Sequence, residues 1–333
     1  MPALNKTTTL VKAAHRLCSV VIAALMLSAC SGEPPSNFEE YAMQGIRDGN
    51  LDQRGARVVI ASINHGGSFW NTEDHERLFN WNHQSGGYSD LTLTAVNPKG
   101  SIALTADTKA FVAWNTNTGK SLGYWNTPSR LHSLALHPNG KVAALGREDN
   151  LATIFDINAG RIVRSLAHGH TIRSVYFIPQ TDLLLTGSED TTANLWNWKT
   201  GQKVQSWKHT FPVDVVISNN AKDKVFVAAY MDDGFLYDLK TGGPLTTTGT
   251  QRQRISSARF SPDDNYLALG LFDGHVQLHD ATTGEMLHKW RMHIRPNVYR
   301  ESSHVTDLAF TSSGNQLVAL GSNGLLNHFN LPQ

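Results

Sequence analysis

Apolar residues in this chain fall into short, alternating runs punctuated by tight turns. Ser133-Leu134-Ala135-Leu136 and Val142-Ala143-Ala144-Leu145 flank His137-Pro138-Asn139-Gly140. The same arrangement surrounds Asn97-Pro98-Lys99-Gly100, Ile178-Pro179-Gln180-Thr181 and Ser261-Pro262-Asp263-Asp264. Proline at the second place of a four-residue turn presets φ, so each segment predicts a tight connection between a first and a second β-strand. Outside the N-terminal 29 residues no stretch has a helical period, and the pattern predicts an all-β chain.

A longer period runs through these short ones. An aromatic or His residue precedes Asp or Asn at Trp70-Asn71, Trp114-Asn115, Phe155-Asp156, Trp196-Asn197, Tyr237-Asp238, His279-Asp280 and Phe329-Asn330, with gaps of 44, 41, 41, 41, 42 and 50 residues. Four residues after the polar member stand Gly119, Gly160, Gly201, Gly242 and Gly284. Asp or Asn closes a turn through its own side chain and Gly accepts positive φ, so these predict hairpin turns between a third and a fourth strand. Eleven residues after the first member stand Trp81, Trp125, Trp207 and Trp290, with Leu166 and Thr248 in two other repeats. Rings recurring there are expected to pack the outer strands of neighbouring units.

A period of 40 to 45 residues ending in a Trp-Asp-like pair resembles the WD40 repeat, each unit of which forms one four-stranded blade. The resemblance implies an all-β, seven-bladed β-propeller of WD40 type over residues 38–333. The fourth repeat carries it most fully: Gly169-His170, Thr186, Asp190 and Trp196 stand where the family places the His, Ser/Thr, Asp and Trp of its structural tetrad. Elsewhere Asp149 and Asp273 keep the acidic position, while Leu145 and Leu269 replace the hydroxyl. Only three residues follow the seventh pair, too few for a fourth strand. In this family the N-terminus commonly supplies that strand, which puts it within Phe38 to Gly45 and closes the ring against exposed sheet edges.

The first 29 residues differ in kind. Lys6, Lys12 and Arg16 precede an apolar run from Leu17 to Leu27, the layout of a secretory signal and too short to span a membrane. Leu27-Ser28-Ala29-Cys30 resembles the lipobox of bacterial lipoproteins. That resemblance implies cleavage after residue 29, a diacylglycerol on the Cys30 thiol and an acylated new N-terminus, two signals that together give stable attachment. Ser31, in place of a retaining Asp, implies the outer membrane, with the protein facing the periplasm. Residues 30–37 then form a lipidated N-terminus and polar linker, whose stretch from Ser31 to Asn37 reaches at most about 23 Å.

Removing residues 1–29 changes the formal charge from +1 to −2 and leaves Cys30 as the one cysteine. No disulfide is expected, and a near-neutral domain gives no reason to expect nucleic-acid binding. His83, His168, His209 and His293 recur after the outer strand but on different units, so no metal site is expected. Ser133, Ser174, Asp214, Ser257 and Asp307 are expected to line the central channel as a hydrated wall. The chain contains no Gly-x-Ser-x-Gly elbow, phosphate-binding glycine loop or His-Glu-x-x-His. A non-enzymatic protein without a cofactor is the resulting expectation.

One interval breaks the period. The 50 residues between His279 and Phe329 contain about nine extra, within Arg291 to Glu301. Three Arg with Tyr, Met and Ile have the composition of protein interfaces, so Arg291, Arg295, Tyr299 and Arg300 are the candidate partner-binding residues. The expected function is a monomeric envelope scaffold or adaptor that binds a protein or peptide, with the membrane reached through its lipid anchor. Two alternatives stand beside it. One is a ligand-binding or enzymatic propeller using Asp214 and Asp307 in the channel. The other is an outer-membrane assembly factor, by analogy of shape alone.

Overall fold

The computed structural model describes residues 32–83, 88–250, 252–295 and 303–332. These form seven four-stranded antiparallel sheets, the blades of one β-propeller. Blades 1 to 6 span residues 46–81, 93–126, 131–167, 172–208, 213–247 and 255–291. Blade 7 takes three strands from 305–330 and its outermost from the N-terminal side of the chain. Successive strands run from the channel outwards, and neighbouring blades meet through their innermost strands. Among the described residues no helix is long and apolar enough to cross a membrane. The expected signal segment and Cys30 lie outside the described residues.

Turn chemistry follows the sequence closely. Asn97 and His137 carbonyls accept the amides of Gly100 and Gly140, both 2.8 Å, which closes the proline turns. In the hairpins to the outer strands the Asp156 carboxylate accepts the Ala159 amide at 2.9 Å and Asn197 Oδ1 accepts that of Thr200 at 3.0 Å. Gly160 and Gly201 follow at φ of 64° and 82°, a backbone state costly for any side chain.

The recurring rings tie each blade to the next. Trp81 on the outer strand of blade 1 stacks on Trp114 in the third strand of blade 2, with centroids 5.0 Å apart. Trp125 meets Phe155 at 5.0 Å, Trp207 meets Tyr237 at 5.5 Å, and Trp290 meets Phe329 at 5.4 Å. Leu166 and Trp196 share a core cluster at the remaining aromatic boundary of this kind. The outer ring therefore packs on the next blade's third strand, not on its outer strand as expected from the repeat alone. The indole N–H of Trp81 also donates to the Gly119 carbonyl at 3.1 Å, so the polar edge of the ring is satisfied by the neighbouring turn.

Closure obeys the same rule. Asn37–Glu40 pairs antiparallel with Leu325–Asn330, with Phe38 opposite Asn327. Residues 41–45 then turn into blade 1, and buried Tyr41 sets its ring edge-on to Trp70 at 5.1 Å. The closing strand thus starts at Asn37, one residue before the expected Phe38 to Gly45 segment and inside the expected linker, and ends at Glu40, where Tyr41 turns in as the ring contact.

Candidate interaction face

The tetrad is a hydrogen-bonded relay that fixes the loop entering a blade, and it forms in blades 2 and 4. In blade 4, Trp196 Nε1 donates to Thr186 Oγ1 at 2.8 Å, which lies 2.7 Å from His168 Nε2. His168 Nδ1 lies 2.9 Å from the Asp190 carboxylate. The imidazole is therefore that of His168 and not His170, whose side chain is 61% exposed and pairs with Glu189 at 2.7 Å. The Gly-His dipeptide suggested His170, but the amide of Gly169 itself donates to Asp190, which turns the following side chain outwards. Burial raises the Asp190 pKa, but Thr192, the Gly169 amide and His168 outweigh it and hold the carboxyl at about 2. Burial lowers the His168 pKa against the pull of Asp190.

Blade 2 holds a second set, built on His83. His83 Nε2 lies 2.9 Å from Thr105 Oγ1, to which Trp114 donates at 2.8 Å, with Asp107 3.5 Å from the ring. His209 instead packs against Phe235 and Tyr237, and His293 stacks on Phe38 at 3.7 Å. The four histidines lie at four separate blade boundaries. Among the described residues no cluster of three or more His, Cys, Asp or Glu is arranged to hold a metal ion.

Side chains of the innermost strands stitch blades across the channel wall. Asp48 accepts the Thr94 amide at 2.6 Å, Ser174 that of Val216 at 3.2 Å, and Asp307 that of Leu51 at 2.8 Å. Arg259 reaches Asp307 at 3.2 Å and the Leu308 carbonyl at 2.8 Å. The Ser133 and Ser257 hydroxyls are buried without a hydrogen-bond partner among the described residues. Asp214 does not join Asp307, so the proposed acid pair does not exist. Each of these strands, except that of blade 2, has a register shift after its first residue. Asp214 is the shifted residue of its strand, and it faces the other way, towards a channel mouth.

The shifted residues His132, Arg173, Asp214 and Ser256 line that mouth together with Arg254 and Phe272, around a hollow of about 150 Å³. The Asp214 carboxylate bridges Arg173 at 3.1 Å and Arg254 at 3.0 Å. The Arg254 guanidinium lies 3.9 Å from the Phe272 ring centre and 5.1 Å from that of Tyr230. Phe272 stacks in turn on His304 at 4.9 Å. Tyr230, Met231, Phe272 and Phe211 are each 40 to 44% exposed. Sequence reasoning missed Arg173, Arg254, Tyr230 and Phe272. The signal available was the polar column one place before Ser133 and Ser174, which a strict period-two reading assigns to a blade interface.

This face consists of the loops entering each blade and those joining second to third strands. The described start of the long interval, residues 291–295, is structural. Met292 is buried, the His293 amide donates to Asn327 at 2.8 Å, and Arg295 reaches the Ala42 carbonyl at 3.2 Å and Glu40 at 3.6 Å. Arg291 ends the outer strand of blade 6 and is exposed, while its amide donates to Glu33. Arg295 thus braces the closing strand. Tyr299 and Arg300 lie outside the described residues.

Comparison with known proteins agrees with this architecture. Residues 236–299 match the family model described as the anaphase-promoting complex subunit 4 WD40 domain, and residues 160–197 match that of the WD domain, G-beta repeat. The fold is a seven-bladed β-propeller of WD40 type. The chain is 30% identical to pre-mRNA-processing factor 19 of Oryza sativa subsp. japonica over 211 residues, 60% of this chain and 38% of that protein. It is 30% identical to the guanine nucleotide-binding protein subunit beta of Zea mays over 229 residues, 60% of each, and 27% identical to that of Nicotiana plumbaginifolia over 231 residues. The chain therefore spans well under two thirds of the length of these relatives.

Proposed function

We propose that this protein is a non-enzymatic adaptor that binds a protein or peptide on the face formed by its blade-entry loops. One observation carries the reading: the Arg254 cluster places a guanidinium between two part-exposed aromatic rings beside Met231 and Phe211, the residue types that dominate binding energy at interfaces. The ion pairs of Arg254 and Arg173 with Asp214 preorganise it, which lowers the cost of ordering on association. Tyr299 and Arg300 join the proposal on the composition of their loop alone. Similarity to a guanine nucleotide-binding protein subunit beta supports the adaptor role at the level of the repeat family. Attachment through Cys30 to a bacterial outer membrane, facing the periplasm, completes the proposal on the strength of the lipobox alone.

The test is in vivo cross-linking followed by mass spectrometry, comparing the native chain with Arg254→Ala and Tyr230→Ala. Interface hot spots contribute about 2 kcal/mol or more, so partner recovery should fall roughly thirtyfold at limiting concentration. Unchanged recovery from both variants sinks the assignment of this face. A channel ligand is the second reading, favoured by a hollow of about 290 Å³ at the opposite mouth, where Tyr176, Phe260 and four turn prolines meet Lys99, Lys222 and Arg259.

A further inference from the structure

The outer strands of blades 2 to 6 carry apolar residues that no blade contact uses. Leu122, Val163, Val204, Leu245 and Leu287 occupy one register, each a single residue beyond the partner of the repeat's aromatic or His residue. They are 41 to 51% exposed, and Met286 beside Leu287 is 49% exposed. The charged residues of these five strands are all basic: Arg161, Arg164, Lys203, Lys208, Lys289 and Arg291, with no Asp or Glu among them. The adjoining turn carboxylates Asp238 and Asp280 accept the amides of their own turns, while Glu285 carries an exposed charge.

A separate observation selects one arc of this rim. The N-terminal segment does not leave the propeller as a free tether. The Glu33 amide donates to the Lys289 carbonyl at 3.1 Å, the Arg291 amide donates to the Glu33 carbonyl at 2.8 Å, and the Glu33 carboxylate lies 3.1 Å from His288. The chain is thus clamped to the outer edge of blade 6 at Glu33, three residues after Cys30 in sequence, a separation that can span about 10 Å at about 3.3 Å per residue.

We infer that the rim of blades 4 to 6 rests edge-on against an anionic lipid bilayer, the one that holds the N-terminus. This rests on the proposed anchor at Cys30. Leu245, Met286 and Leu287 enter the headgroup layer while Lys203, Lys208 and Lys289 meet its negative charge. The stance leaves the Arg254 face upright and open to a partner in solution. The clamp at Glu33 makes it specific, since a seven-residue free linker would permit every orientation.

The measurement is flotation of the mature chain, residues 30–333 carrying Cys30→Ala and so free of both signal segment and lipid, on vesicles of phosphatidylcholine alone or with one third phosphatidylglycerol. The chain should float with the anionic vesicles only. Each of Lys203→Gln and Lys289→Gln should weaken partitioning roughly fivefold. Leu245→Glu with Leu287→Glu should abolish flotation while the melting temperature stays that of the parent. No flotation on anionic vesicles, equal flotation on both kinds, or insensitivity to these substitutions overturns the proposal. So does a photo-cross-linker at position 287 that captures protein in place of lipid in cells. Palmitate labelling of the native chain tests the anchor separately: flotation without labelling removes the anchor and keeps the rim, whereas labelling without flotation removes the rim alone.

Discussion

Asp48 shows how one carboxylate can join two blades and still oppose stability. Its side chain lies on the innermost strand of blade 1 and accepts both the amide and the hydroxyl of Thr94 in blade 2. Burial nevertheless raises its pKa from 3.8 to about 6, the hydrogen bonds offsetting only part of the effect. The folded state therefore binds a proton more tightly than the unfolded chain. Its contribution is fully present below about pH 3.8 and is lost as the pH rises through about 6, leaving a buried charge at neutrality. Asp48→Asn keeps an acceptor for the amide and removes that charge. The variant should melt about 2 °C or more above the parent at pH 7.5, with the difference vanishing by pH 4. A difference independent of pH would show that the charge is not the cause. His168 and His170 show the limit of sequence at this scale: the residues that could close the tetrad are two positions apart, and only the path of the Gly169 amide to Asp190 decides between them.

At the scale of elements, the blade boundary is the repeating unit of stability. An outer-strand ring packs on the next blade's third-strand aromatic, so removing one ring opens a void between two sheets. Trp81 is 1% exposed and touches Phe69, Phe79 and Trp114. Trp81→Ala should cost about 3–5 kcal/mol in urea unfolding, by lost burial and the cavity left behind. A loss below about 1 kcal/mol would mean that the two sheets collapse onto the gap. The turns were legible in the sequence because Pro, Gly and Asx act locally. The channel mouth was not, because the shift after the first residue of the inner strands reverses the facing of one side chain, and a period-two count carries straight through it.

At the scale of the molecule, the ring depends on a strand 285 or more residues distant in sequence from its partner: Asn37 lies opposite His328 and Glu40 opposite Leu325. Arg295, the His293–Phe38 stack and Tyr41 against Trp70 reinforce that seam from both sides. Deleting residues 37–41 should lower the melting temperature by more than about 5 °C and promote self-association through the uncovered edge of Leu325–Asn330. Calorimetry with light scattering reads both effects, and a monomer with parental melting would refute closure as a source of stability. The described start of the interval that breaks the repeat, through Met292, His293 and Arg295, braces that seam.

The sequence by itself determined the number of blades and the turns, because these follow from local chemistry repeated at a fixed interval, while the resemblance to the WD40 repeat implied the source of the closing strand. The resemblance of Leu27-Ser28-Ala29-Cys30 to a lipobox is what carries the proposed anchor. Tertiary structure alone decided which imidazole completes each tetrad, that Asp214 joins Arg254 and not Asp307, and that the N-terminal segment lies along blade 6. Each of those depends on where side chains and backbone from different blades meet around a closed ring, and a period along the chain does not encode that geometry.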